Sequence, residues 1–177
     1  MTRYSVTGVS RALTPAEIEI MRSVVRGLTD VTEFTTGCAT GVDTAAHMIA
    51  IIELPNIYHR LCVPAAPHNQ SIVHDERNAR VIVEYVPAGM SRGESYMLRN
   101  DRLVAHADIL LAFPETRVEE LRSGTWATIR RARRAGIGID VHPLRDPAPI
   151  SRLIKRPRRR QRSSPGSGLP PQYPEAG

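Results

Sequence analysis

Two short turns carry the residues of this chain best suited to chemistry. The first is Thr36-Gly37-Cys38-Ala39-Thr40-Gly41-Val42-Asp43, and the second is Ser123-Gly124-Thr125. Each places glycine and small residues ahead of a helix-like run. A strand feeding a helix through such a turn lets backbone N–H groups approach an anion at the helix N-terminus. Gly37, Thr40 and Gly41 are the expected phosphate cradle, and Ser123, Gly124 and Thr125 a second. A tight turn with no ligand is the alternative reading of the first stretch. That stretch has neither the G-x-G-x-x-G nor the P-loop signature, so spacing alone names no ligand.

The elements that must hold these turns alternate in type along the chain. Tyr4–Thr7 reads as a short strand ending at Gly8. A helix follows with Thr14 as N-cap, Pro15 at its first position and Glu17 closing a capping box. Its apolar stripe is Ile18, Met21, Val25 and Leu28. Thr32–Thr36 is a β-branched and aromatic run, and after it Ala45, Met48, Ile49 and Ile52 recur at helical spacing. Tyr58–Val63 and Val81–Val86 read as strands, and Ser95–Ala107 as a helix with Met97, Leu98, Val104 and Ala105 available for packing.

Ile109-Leu110-Leu111-Ala112-Phe113 is the most apolar run and reads as a central parallel strand buried on both faces. In the last helix Thr125, Thr128, Ile129, Ala132 and Ala135 share one side. Arg130, Arg131, Arg133 and Arg134 fan across the other, and Gly136 ends it. Ile137–His142 makes a final strand. The alternation predicts an α/β, doubly wound, mostly parallel Rossmann-like sheet with helices on both faces. In such sheets ligands sit at the carboxyl ends of the strands, near the switch point.

The chain divides by composition into an expected domain over 1–150 and a tail over 151–177. Of 24 basic and 18 acidic residues, seven basic and one acidic lie from Ser151 onward, so positions 1–150 balance at 17 of each. The formal charge of +6 therefore belongs to the tail. Its arginine, proline, serine and glycine content predicts disorder and salt-sensitive attraction to phosphate-rich partners, or a solubilising arm with no fixed partner. Cys38 and Cys62 form no metal-type pair or disulfide framework, which suits a reducing cytosol. The six histidines show no ligand spacing, so no metal is expected. No apolar run is long enough to span a bilayer, and a cytoplasmic location is expected.

Several stretches together resemble a known family. Thr36-Gly37-Cys38-Ala39-Thr40-Gly41-Val42-Asp43-Thr44-Ala45-Ala46-His47 is similar to the S-G-x-A-x-G-I-D-x-x-A-H stretch of the bacterial DNA-processing protein A family. Arg99-Asn100-Asp101-Arg102 resembles its R-N-R element. Ser123-Gly124-Thr125, with Ala132 and Gly136, is similar to its S-G-[ST] turn and last helix. The resemblance spans roughly residues 4–144 and implies membership of the SLOG superfamily, which also holds the lonely-guy phosphoribohydrolases. Those enzymes carry P-G-G-x-G-T-x-x-E at the last helix. Here Arg99 can stand for their arginine, but Thr128 occupies the glutamate position and cannot serve as a carboxylate base. The resemblance thus implies a nucleotide pocket more strongly than that hydrolysis.

Within that frame Gly8, Ser10 and Arg11 could contact a phosphate or ribose. Asp43 could take a ribose hydroxyl or simply favour the helix dipole. Arg99, with Asn100 beside it, reads as an anion clamp, against a surface ion pair. His47 reads as a packed histidine, His68 and Asn69 as loop residues that could cover the site, and Trp126 as core. Three functions follow in order. The first is binding of a nucleotide or nucleotide derivative by a sensor or accessory factor. The second is hydrolysis of a nucleotide's N-glycosidic or phosphate bond, with Asp43 or Asp101 as carboxylate. The third is single-stranded DNA binding, through Arg130, Arg131, Arg133 and Arg134 and the tail's Arg158, Arg159 and Arg160. Few aromatics are available to stack bases. The expected partners are a phosphorylated nucleotide as ligand, without further cofactor, and nucleic acid through the tail. A homodimer is left open, and no membrane partner is expected.

Overall fold

The computed structural model describes residues 1–65 and 80–145. His68, Asn69 and the whole tail, including Arg158, Arg159 and Arg160, lie outside the described residues. In chain order the elements are β1 (Thr2–Gly8), α1 (Pro15–Arg26), β2 (Val31–Thr36), α2 (Val42–Glu53), β3 (Tyr58–Val63), β4 (Val81–Tyr85), α3 (Arg92–Ala105), β5 (Ile109–Phe113), α4 (Gly124–Ala135) and β6 (Gly138–Val141). The strands form one sheet in the order β4-β3-β2-β1-β5-β6, and every pairing is parallel. The chain runs outward from β1 to β4, then crosses back to lay β5 on the other side of β1. That reversal makes the β1–β5 boundary the switch point.

Two apolar layers clamp the sheet. Tyr4 and Val6 of β1, Phe34 of β2, and Leu111 and Phe113 of β5 pack with Met21 and Val25 of α1 and Val42, Ala46 and Ile49 of α2. On the opposite face Leu110 and Ala112 meet Val104 of α3 and Trp126, Ile129 and Ala132 of α4. The β5 run divides between the two layers because strand side chains alternate in direction, so it is buried on both faces as its composition predicts. Full burial of Phe34, Leu110 or Ile129 stabilises by about 1.5–3 kcal/mol each.

Helix starts follow local chemistry. Thr14 caps α1 and Glu17 returns to the Thr14 N–H, the expected capping box. A second box, Ser91 with Glu94, starts α3 at Arg92 rather than at Ser95. The α2 pattern also needs correction. Met48 and Ile52 are 54% and 67% exposed, while Val42, Ala46, Ile49 and Ala50 are buried. This helix is apolar nearly all round, so spacing does not tell its two sides apart, and the small residues Ala46 and Ala50 are on the side that packs in the core. Met97 and Ala105 of α3 are likewise exposed, and Leu103 packs beside Val104. Ala135, at the end of α4, is exposed too. Among the described residues no helix is long and apolar enough to cross a membrane.

Candidate functional site

At the switch point the loops leaving β1 and β5 part, and a cleft of about 550 Å³ opens between them. Its floor begins with the strand alternation of β1. Tyr4 and Val6 go to the apolar layer, which leaves Thr7 on the α3/α4 side, where it lines the cleft. Gly8 follows because a Cβ there would overlap the Val42 side chain. Ser10 and Arg11 form the rim on this side. Asn100, one turn from Tyr96 on α3, and Ser123, Gly124 and Thr125 at the start of α4 close the other side.

Both arginines of the cleft are already engaged. Arg99 Nη1 donates to Asp43 Oδ2 at 2.8 Å and to the Gly37 carbonyl at 3.0 Å. The Ala39 N–H donates to the same carboxylate oxygen at 3.2 Å. Burial pushes the Asp43 carboxyl up, and the Arg99 guanidinium pulls it back. Arg11 Nη2 lies 2.7 Å from Glu17 Oε1 and 2.9 Å from Glu115 Oε2. Its hydrogen bonds, with those from Thr14, hold the Glu17 carboxyl down at about 2. Glu115 is also paired with Arg145. Of the carboxylates in the lining, Glu120 alone has no partner among the described residues.

The neutral polar groups are in the opposite condition. Thr7 and Thr125 are each 6% exposed and Asn100 is 8% exposed. All three line the cleft, and none of their side chains makes a hydrogen bond among the described residues. Ser123 Oγ caps α4 by accepting from the Trp126 N–H at 3.4 Å. The N–H groups of Gly124 and Thr125, at the first helical positions, are left without an intrahelical partner. A Cβ built on Gly124 would meet nothing within 4 Å, so this turn is open.

The first turn is filled by the protein itself. Gly37, Thr40 and Gly41 do not line the cleft. Gly37 makes room for the Arg99–Asp43 pair, since a Cβ would overlap both side chains. Gly41 has φ +80° and lets the Val9–Arg11 backbone come close, with the Val42 N–H donating to the Val9 carbonyl at 3.0 Å. The Thr40 hydroxyl donates to the Ser10 carbonyl at 3.1 Å. Only Ala39 and Asp43 of this stretch reach the lining.

The remaining candidates also find their places. Asp101 lies outside the cleft, 2.6 Å from Arg131. Arg130 and Arg133 both pair with Glu119, while Arg134 is exposed and has no ion pair among the described residues. Thr128 is buried and its hydroxyl donates to the Gly124 carbonyl at 3.1 Å. His47 is buried beside His59, and Trp126 packs in the α3/α4 layer while also reaching the lining. Burial pushes the Cys38 and Cys62 thiols up to about 12, which leaves neither as a nucleophile. Thr7 and Glu120 are lining residues that sequence reasoning missed. Hydroxyls at Ser5 and Thr7, inside a strand otherwise destined for a core, were the available signal for Thr7. Nothing marks Glu120 within its charged loop.

Sheet order, strand direction and a cleft at the reversal define a Rossmann-like α/β protein. Solved structures agree. DNA processing protein A from Streptococcus pneumoniae matches with a TM-score of 0.58 and 21% identity, over 86% of this chain and 53% of that one. The Helicobacter pylori protein of the same name, described for its single-stranded DNA binding mode, gives 0.57 and 21% over 80% and 65%. A molybdenum cofactor binding protein from Rippkaea orientalis gives 0.54 and 17% over 80% and 76%. The chain thus spans between half and two thirds of the DNA processing proteins it matches, and shares the fold of their core. No family model and no curated protein matches it.

Proposed function

We propose that the cleft binds a phosphorylated nucleotide or nucleotide derivative, with the phosphate at the start of α4. One observation carries this reading: buried, uncommitted Thr7, Asn100 and Thr125 converge on the open N-terminus of a 12-residue helix. Backbone N–H groups and the helix dipole favour an anion there. The hydroxyls and the amide can donate to its oxygens, or bond the ribose. Among the structural neighbours one is named for binding a cofactor and another for its single-stranded DNA binding mode, which supports a ligand-binding role for this fold.

We read the site as one that binds rather than hydrolyses. Asp43 is locked to Arg99, Asp101 is paired with Arg131 outside the cleft, and Thr128 supplies no carboxylate. Glu120, the one unpaired carboxylate of the lining among the described residues, is exposed at the rim. A second reading, single-stranded DNA binding, has the Helicobacter pylori neighbour in its favour. Against it, Arg130, Arg131 and Arg133 are engaged with carboxylates, so attraction to nucleic acid would fall chiefly to the tail.

A thermal-shift series on the full chain tests both readings, because a ligand of the native state raises its apparent stability. Phosphorylated nucleotides should raise the melting temperature more than the corresponding nucleosides. The N100A variant should lose that difference. Equal shifts for nucleoside and nucleotide would remove the phosphate site. A shift with oligodeoxynucleotides alone, lost at high salt, would favour the DNA reading.

A further inference from the structure

The charge inventory of the cleft deepens the reading above and rests on it. Its lining holds Arg11 and Arg99 against Asp43, Glu115 and Glu120. The two guanidinium groups are neutralised within the protein, by Glu17 and Glu115 in one case and by Asp43 in the other. Adding Arg145, which pairs with Glu115, and Glu17 leaves the balance unchanged at one excess negative charge. That charge is Glu120. It stands three residues ahead of the α4 cap, and its own carbonyl accepts the Ser123 N–H at 3.3 Å. Arg122, next to the cap, is exposed and not part of the lining, and Arg130 is paired with Glu119.

An anion entering here meets neutral donors, the dipole of one helix worth roughly half a positive charge, and one carboxylate. Among the described residues each cation of the lining is paired with a carboxylate, although the Arg99 Nε itself has no hydrogen-bond partner, so none is left over for a second or third negative charge. We propose that the cleft selects phosphorus groups carrying a single negative charge, and that Glu120 is the residue setting this preference. The ligand class is a phosphate diester of a nucleoside, in which one oxygen charge is masked by an ester bond. A free monoester is close to doubly charged at neutral pH and a polyphosphate carries more, so both are disfavoured.

The probes are matched pairs: AMP, GMP, CMP and UMP, each beside the monomethyl ester of its 5′-phosphate, with ATP as the highly charged member. Titration of the full chain at pH 7.5 should show at least one diester binding more tightly than its monoester, with ATP weakest. At pH 5, below the monoester's second ionisation near 6, the gap should close. The conservative variant E120Q should narrow it at pH 7.5 by about three- to fivefold, the scale of one exposed charge interaction. Circular dichroism confirms the fold of this surface variant. Monoesters binding as tightly as diesters to the wild type overturns the inference and leaves the nucleotide reading standing. A diester preference that E120Q leaves unchanged overturns the assignment to Glu120. No response to any probe, diester or monoester, overturns both.

Discussion

The two turns that open α2 and α4 look alike in the sequence and behave in opposite ways in the fold. The α2 turn has two glycines, and both are consumed by the protein: Gly37 by the Arg99–Asp43 pair, Gly41 by the Val9–Arg11 backbone. Its donors are answered from within, the Ala39 N–H by Asp43 and the Val42 N–H by Val9. The α4 turn has one glycine with open space around it, and the residues that carry its first N–H groups line the cleft. A glycine in a βα turn therefore signals close approach without saying of what. Whether the approaching partner is a ligand depends on which donors the protein has left unanswered.

Three experiments test that contrast and the commitment of the cleft's arginines, taken from the largest expected effect. Asp43→Ala strips the buried partner from a guanidinium whose side chain is 13% exposed, and breaking such a largely buried pair destabilises by about 3 kcal/mol. Denaturant unfolding should show this loss. A change below about 1 kcal/mol would mean that Arg99 reaches solvent or another carboxylate, and the first turn would no longer count as a structural clamp.

Gly41→Val comes next, against Gly124→Ala as its counterpart. Valine at φ +80° adds backbone strain and meets the Val9–Arg11 main chain, at a combined cost of about 2–4 kcal/mol. Alanine at Gly124 meets open space and should leave stability within about 0.5 kcal/mol, while weakening the nucleotide-dependent thermal shift. If both variants lose stability equally, or if Gly124→Ala leaves ligand binding untouched, the two turns are not divided as described.

The smallest effect concerns acid. Glu17 titrates at about 2 in the fold against 4.5 ordinarily, so its depressed value adds stability that is complete above 4.5. That contribution is lost as the pH falls from 4.5 towards about 2. Arg11→Gln removes the main cause of the depression. The variant should be less stable than the wild type at pH 7 and lose less of its stability across that acid range, as followed by denaturant midpoints. A pH profile parallel to the wild type would show that Arg11 does not hold Glu17, and would return Arg11 to the list of free anion contacts at the cleft rim.

Much of the architecture was legible in the chain itself, for reasons local to each segment. The box of Thr14 and Glu17 starts α1 because its donors and acceptors lie within one turn. The run Ile109–Phe113 had to be a central strand, since a continuous apolar pentapeptide has no solvent face. Alternating strands and helices led to the parallel sheet, and the resemblance pointed to the same core. The α2 face was not legible, because Met48 and Ile52 look as apolar as the residues that pack. Only tertiary packing decides which side of that helix is buried.

The site divides in the same way. Residue types determined that Asn100, Ser123, Gly124 and Thr125 could serve an anion, and strand ends determined the edge where they meet. Tertiary structure alone decided that Arg11 and Arg99 are committed, that Gly37 and Gly41 serve packing, and that Asp101 is paired with Arg131 outside the cleft. It alone brought Thr7 and Glu120 to the cleft. The reason is physical. A group's chemistry belongs to its residue, but its availability depends mostly on partners 30 to 104 positions distant in the chain. Glu17, six positions from Arg11, is the near exception, and no local pattern records the distant ones.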